Sequence, residues 1–279
     1  MRDIFINHNG KIIKGGTPIV EAQSRGLRYG DGLFETIKVK AGQLMNADEH
    51  FARLWQGLQL LQFAIPRPFS PNQLEDQILA LVQKNKLTSA RVRLTVYRGN
   101  GGLYDPQNHT PQYIIEATEL PQGNGEWNSN GLVLGIYPDV RKCCDLVANI
   151  KHNNYLPYLM AALCAKTEKW NDAIVLNMHG RICDTTIANI FMVKNETVYT
   201  PALAEGCVAG VMRKQILALL RQQQLPVVEQ PIEQAELLQA DEVFVTNAIY
   251  GLRWVQQVND ASYGNALTQK IYSLLQSTI

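Results

Sequence analysis

The chain has 279 residues and sets 26 Lys and Arg against 25 Asp and Glu, a balance with no basic stripe for nucleic acid and no acidic run of a disordered tail. An apolar share of 46% and a charged share of 18% are ordinary for a globular protein, and the length suits two modest domains better than one core. The five cysteines, two of them adjacent at Cys143 and Cys144, form no disulfide framework and predict reduced thiols.

The opening MRDIFINHNGKII lacks the apolar core of a signal peptide, and the most apolar window, 155–165, is too short for a membrane span and contains Pro157. The expectation is a cytoplasmic protein whose partners include neither membrane nor nucleic acid. FINHNGKII predicts a hairpin turning at Asn9-Gly10, and LFETIKVKAGQLM a second turning at Ala41-Gly42. Phe51, Leu54, Trp55, Leu58 and Leu61 follow helical spacing after a capping-box pattern at Asn46 and Glu49. Ser70-Pro71 opens the next helix, carried by Leu74, Ile78, Leu81 and Val82. ARVRLTVY and QYIIEAT alternate as strands.

LPQGNGEWNSNG is the one compositional break. Beyond it come the strand GLVLGIY, an apolar helix after Lys151, the strands DAIVLN, NIFMVK and TVYT, and the amphipathic helix GVMRKQILALLRQQ. EVFVTNAIYG reads as strand then turn, and ALTQKIYSLLQ as a last helix. Hairpin strands mixed with helices predict an α+β (mixed α/β) chain rather than a doubly wound parallel sheet. Its expected organisation is a small N-terminal domain over 1–119, a linker over 120–131 and a larger C-terminal domain over 132–279.

Several chemistries lack their signatures: no complete dinucleotide fingerprint, no phosphate loop of the GxxxxGK[ST] kind, no GxSxG, and no His or Cys spacing for a metal. Lys151, between a short apolar run and an apolar helix, is either a solvated charge or an amine that burial keeps nucleophilic for a carbonyl cofactor. EGCVAGVM leaves the amides of the following helix open to a phosphate, or is an ordinary helix start. Arg53 either aims inward at an anion or lies along a rim. Asp184 caps a turn or meets a protonated ring nitrogen, and Asn247 and Ala248 are turn residues or phosphate donors.

Taken together, RGLRYGDGLFET, EHFARL, IKHNNYL, GRICDTTIANIF, VYTPAL, GCVAGVMR and VFVTNA resemble the class IV (fold type IV) pyridoxal-phosphate family over nearly the whole chain. That family includes branched-chain and D-amino-acid aminotransferases and aminodeoxychorismate lyases. The resemblance implies a two-domain enzyme, a homodimer, with pyridoxal 5'-phosphate as cofactor, no metal, and a small-molecule substrate. It implies that Lys151 bonds to the cofactor aldehyde and shuttles protons, and that Arg53, the helix-start amides of Val211 and Met212, and the loop of Asn247 and Ala248 hold the phosphate. Asn189 falls on the family's asparagine near the ring, and Tyr155 close to a tyrosine on the cofactor hydroxyl. Asp184 stands where the family usually has glutamate, one methylene longer.

Within the family, RGNGG followed by tyrosine, TNA in the last phosphate loop and Thr36 near the reacting centre resemble the lyases. The Arg-x-His carboxylate trap of D-amino-acid aminotransferases is missing from YRGNGGLYDPQNH. The expected activity is therefore 4-amino-4-deoxychorismate lyase, releasing 4-aminobenzoate and pyruvate for folate biosynthesis. A class IV aminotransferase acting on branched-chain or other amino acids is the alternative, and a non-catalytic binding protein of this fold the more distant one. Arg28, Arg98 and Tyr104 are candidate partners for the substrate carboxylates.

Overall fold

The computed structural model describes residues 4–277; Met1, Arg2 and Asp3 of the opening segment, and Thr278 and Ile279 at the end of the expected 132–279 domain, lie outside the described residues. The chain forms two compact units, Met1–Gln122 with Ile150–Asn154, and Gly123–Asn149 with Tyr155–Ile279. The stretch around Lys151 thus belongs to the first unit, while the chain on either side of it belongs to the second.

In the first unit the strands are β1 (Phe5–His8), β2 (Lys11–Lys14), β3 (Gly32–Lys40), β4 (Gln43–Leu44), β5 (Ser89–Arg98) and β6 (Pro111–Glu119). They make one sheet in the order β2-β1-β6-β5-β3-β4, antiparallel throughout. Both hairpin turns use paired positive-φ residues, Asn9 with Gly10 and Ala41 with Gly42, which matches the twist of the flanking strands. Its helices are α1 (Arg25–Tyr29), α2 (Ala47–Leu60) and α3 (Pro71–Lys84). Ser70 caps α3, accepting from the Gln73 amide at 3.3 Å, with Pro71 at the first helical position. The capping box expected on α2 does not form: Asn46 is left-handed at φ 57° and its side chain makes no cap hydrogen bond. A capping side chain works from an extended backbone, which Asn46 does not have.

The second unit holds β7 (Leu132–Lys142), β8 (Asp172–Asn177), β9 (Ile182–Thr185), β10 (Asn189–Lys194), β11 (Thr197–Pro201), β12 (Val227–Gln230), β13 (Glu242–Asn247), β14 (Gly251–Val258) and β15 (Ala261–Ser262). They form a mixed sheet in the order β12-β11-β10-β13-β14-β7-β8-β9, with β15 on β14. The helices are α4 (Leu156–Thr167), α5 (Val211–Gln222), α6 (Gln234–Leu238) and α7 (Ala266–Gln276). Both faces of the central strands are buried: Ile190 and Met192 join one cluster with Leu237 of α6, while Phe191 and Val193 join another with Ile216 and Ile271 of α5 and α7. This is why NIFMVK reads as a continuous apolar run rather than an alternating one. Across the strands Phe191 and Phe244 stack at 4.8 Å, a contact worth about 1 kcal/mol beyond its buried area.

Within the expected linker, residues 123–131 belong to the second unit and are bonded into it. Trp127 stacks on Trp254 at 6.4 Å, and Asn128 both donates to the Trp254 carbonyl and accepts from its amide. Two aromatic rings and a paired amide outweigh the flexibility of the surrounding glycines. Among the described residues no helix is long and apolar enough to cross a membrane.

Candidate active site

The Lys151 stretch is held as a short extra strand on β3. The Phe34 amide donates to the Lys151 carbonyl at 2.9 Å, the Asn153 amide donates to the Gly32 carbonyl at 3.0 Å, and Leu33 bridges His152. Gly32 makes this possible, because a Cβ there would stand 2.2 Å from the Val96 carbonyl oxygen and 2.7 Å from the Asn153 side-chain Nδ2. The backbone of Lys151 is thereby pinned, and its half-buried side chain lays the amine 4.7 Å from the centre of the Phe34 ring. The Arg93 guanidinium meets the same ring at 3.8 Å. Strand alternation puts Thr36 and Lys38 on the Phe34 face, and Thr36 pairs with Arg93 in register. Amine, hydroxyl and guanidinium therefore share one side of the sheet. Burial, with Lys40 beside it, pulls the Lys38 ammonium below its ordinary range.

The opposite face of β3 carries Glu35, 1% exposed, beneath α2. Its carboxylate accepts from Arg53 Nε at 2.8 Å and Nη2 at 2.6 Å, and pairs with His50 Nδ1 at 2.7 Å. Burial alone would raise the Glu35 carboxyl, but the Arg53 guanidinium, helped by His50, overrides it and brings it down to about 2. Among the described residues His50 Nε2 is buried without a hydrogen-bond partner. Arg53, the expected phosphate arginine, is thus oriented from below by a carboxylate that sequence reasoning missed. The signal was there in the (i, i+3) spacing of His50 and Arg53 on one helix face opposite an acidic strand residue.

The three candidate substrate residues make contacts of another kind. Arg98 is 5% exposed; it donates to Asp31 at 3.0 Å and to the carbonyls of Leu61 and Gln62, and lies over Phe63 at 4.2 Å. Arg28 donates to the Ala22 carbonyl at 2.9 Å, and Tyr104 is 88% exposed with its ring 5.8 Å from Tyr29. None of these contacts reaches Lys151, Thr36 or Arg53. Arg93, which does share the Lys151 face, was overlooked because an arginine in an alternating strand reads as a solvated charge.

In the second unit Asp184 is fully buried on β9 and takes four donors. Asn189 Nδ2 binds Oδ1 at 2.9 Å, while the Val208 amide and the Tyr158 hydroxyl, each at 2.9 Å, and Lys142 Nζ at 3.4 Å converge on Oδ2. Burial pushes the Asp184 carboxyl up, and Lys142 opposes it most. Tyr155 caps α4, its ring 4.5 Å from that of Tyr158, so it is the next tyrosine on the helix whose hydroxyl reaches Asp184.

Asn189 also ties Asp184 to the start of α5. Its Nδ2 donates to the Val208 carbonyl at 2.8 Å, and a Cβ on Gly210 would stand 1.9 Å from its Oδ1. Gly210 caps α5 without a side-chain acceptor, which leaves the first-turn amides of Val211 and Met212 to find another. Across the strands Asn189 pairs with Thr246, whose hydroxyl is buried and, among the described residues, has no hydrogen-bond partner. The next residue, Asn247, folds the loop before Ala248 and beyond by accepting from the amides of Ile249 and Tyr250. The first-turn amides of α5 and the Thr246 hydroxyl are donors near Asn189, which suits a phosphate dianion. Asp184 Oδ1, with a single donor, suits a protonated ring nitrogen. The donor set fits a phosphorylated, ring-bearing cofactor.

Residues 32–258 match the profile of the family described as amino-transferase class IV. The chain is 32% identical over 237 residues to an aminodeoxychorismate lyase of Vibrio harveyi, covering 84% of this chain and 86% of that one. It is 28% identical over 281 residues to a D-alanine aminotransferase of Bacillus licheniformis, covering 97% and 95%. The solved branched-chain aminotransferase of Thermoproteus uzoniensis with norvaline is similar in fold, with a TM-score of 0.88 at 21% identity over 98% of this chain and 94% of that one.

Proposed function

Since the chain belongs to the class IV aminotransferase family, a family of pyridoxal-phosphate-dependent enzymes, we propose that it is a lyase converting 4-amino-4-deoxychorismate into 4-aminobenzoate and pyruvate. The observation that carries this reading is the shared face of β3: an amine over Phe34, with Thr36 and Arg93 beside it. The Vibrio harveyi relative, the RGNGG–Tyr104 stretch and the TNA loop support the lyase within the family.

When bound, pyridoxal phosphate supplies an electron sink for charge developing at the substrate carbon attached to its aldehyde. Lys151 would hold the cofactor through its aldehyde and, as a free amine, would serve as the base that takes the proton from the substrate carbon bearing the amine. Loss of that proton would let the substrate ring aromatise as its C–O bond to enolpyruvate breaks, and Lys151 would return the proton to the enolpyruvate carbon, giving pyruvate. Arg93 pairs with a substrate carboxylate and Thr36 hydrogen-bonds near the reacting atoms. Arg53, held by Glu35, would serve as a phosphate ligand, as would the Val211 and Met212 amides and the loop of Asn247 and Ala248. Asp184 would hold the ring nitrogen, and Tyr155 would serve the ring hydroxyl.

A second reading, amino transfer, is favoured by the D-alanine aminotransferase relative. We further infer a cytoplasmic homodimer: the five cysteines are free, and α4 exposes Leu156, Leu159, Met160 and Leu163 as an apolar row suited to a second copy. The deciding measurement follows pyruvate and 4-aminobenzoate from 4-amino-4-deoxychorismate, beside amino transfer to 2-oxoglutarate, in wild type and Lys151→Ala. Expected is release of both products by wild type and loss of that release in the variant. Amino transfer alone would overturn the lyase reading.

A further inference from the structure

Lys142 is a lysine 6% exposed at the end of β7, where neither the resemblance nor its spacing gave it a role. Its burial follows from an irregularity in the sheet. β7 pairs with β8 from Leu134–Asp172 to Tyr137–Val175, then leaves Pro138, Asp139 and Val140 out of the ladder and resumes at Arg141–Leu176 and Lys142–Asn177. The bulge resets the alternation, so that Arg141 faces out and Lys142 faces in. There its ammonium meets Asp184 Oδ2 at 3.4 Å and lies 5.3 Å from the centre of the Tyr158 ring.

A buried ammonium is costly unless an anion meets it, and an ionised carboxylate in the same surroundings is equally costly. Each therefore justifies the other. The distribution of donors over Asp184 is lopsided, three on Oδ2 and one on Oδ1. The crowded oxygen is anchored by backbone, phenol and ammonium, and the other keeps room for one more N–H. Resting on the reading that pyridoxal phosphate is the cofactor, we propose that Lys142 is a positioning residue that clamps Oδ2 so that Oδ1 is offered, as an anion, to the cofactor's ring nitrogen. A cation in contact with Oδ2 attracts the carboxylate more than it repels a ring nitrogen on the far oxygen, so Lys142 favours carboxylate with protonated ring over acid with neutral ring.

The other titratable groups facing the pair stay neutral. Burial raises Tyr158 of α4 and Cys183 of β9 well above their usual ranges, Cys207 before α5 to about 12, and Cys144 after β7 in the same direction. Asp184 is then the group whose charge changes when Lys142 is neutralised. Its raised carboxyl makes ionisation a cost to folding above its native titration point, relieved as pH falls through it. Removing Lys142 enlarges that cost.

The test uses the full chain with Lys142→Met, Lys142→Arg and Asp184→Asn. Without added cofactor, the melting-temperature gap between wild type and Lys142→Met should widen by about 3 °C or more from roughly pH 5.5 to 8.5, while Lys142→Arg tracks wild type. With pyridoxal phosphate labelled at its ring nitrogen, the nitrogen-15 shift should report a protonated ring in wild type and Lys142→Arg, and a largely unprotonated one in Lys142→Met. Should Lys142→Met not fold, the gap between wild type and Asp184→Asn is read instead: it should narrow as pH rises over the same range, because only wild type bears the cost of ionising Asp184, and a pH-independent gap there overturns the proposal. A pH-independent gap with an unchanged nitrogen shift overturns the proposal. Failure of wild type to bind pyridoxal phosphate would sink the functional reading instead, while the melting measurements still judge the pair.

Discussion

Glu35 shows how one buried carboxylate can set the geometry of a basic residue. With its carboxyl held at about 2 against an ordinary 4.5, it contributes stability that is fully present above about pH 4.5 and lost as pH falls toward 2. Glu35→Gln should therefore cost about 3 kcal/mol at neutral pH, with less than half of that remaining at roughly pH 3. Urea unfolding of both proteins at the two pH values checks this, and an equal difference at both would refute it. Lys151, Asp184 and Asn189 were legible in the sequence because a motif surrounds each of them. Glu35, Tyr158 and Lys142 were not, because each acts through a partner 15 to 42 positions away that only the fold brings near.

Among the elements, α5 depends most on one missing side chain. Gly210 abuts Asn189 Oδ1, so a methyl group there must displace the amide that bonds both Asp184 and the Val208 carbonyl. Gly210→Ala is expected to weaken pyridoxal-phosphate binding about tenfold or more, as overpacking of this kind costs about 1–3 kcal/mol. Cofactor titration beside far-ultraviolet circular dichroism tests it: full affinity in the variant would mean the close approach is unnecessary. Hairpin turns and the start of α3 were readable because their signals are local, Asn-Gly and Ser-Pro in sequence. The cap of α2 was misread since a capping box requires an extended backbone at its first residue, and the hairpin leaving β4 holds Asn46 left-handed. Likewise, the bulge that turns Lys142 inward has no spacing signature, because it depends on where β8 lies.

For the molecule as a whole, the apolar row on α4 argues for association. Leu159→Lys with Leu163→Lys should convert a dimer into a monomer in sedimentation velocity, with the pairing of Lys142 and Asp184 left intact; a wild type that sediments as a monomer would exclude the interface. By itself the sequence determined the mixed strand-and-helix class, the hairpins and the family motifs, since these rest on local propensity and on spacings of a few residues. Only the tertiary structure decided that Ile150–Asn154 joins the first unit, that Arg98 is spent on Asp31 and backbone carbonyls, and that Lys142 faces Asp184. Those outcomes depend on which distant groups meet in a water-poor interior, where a charge must find its counterpart, and no local pattern encodes that meeting.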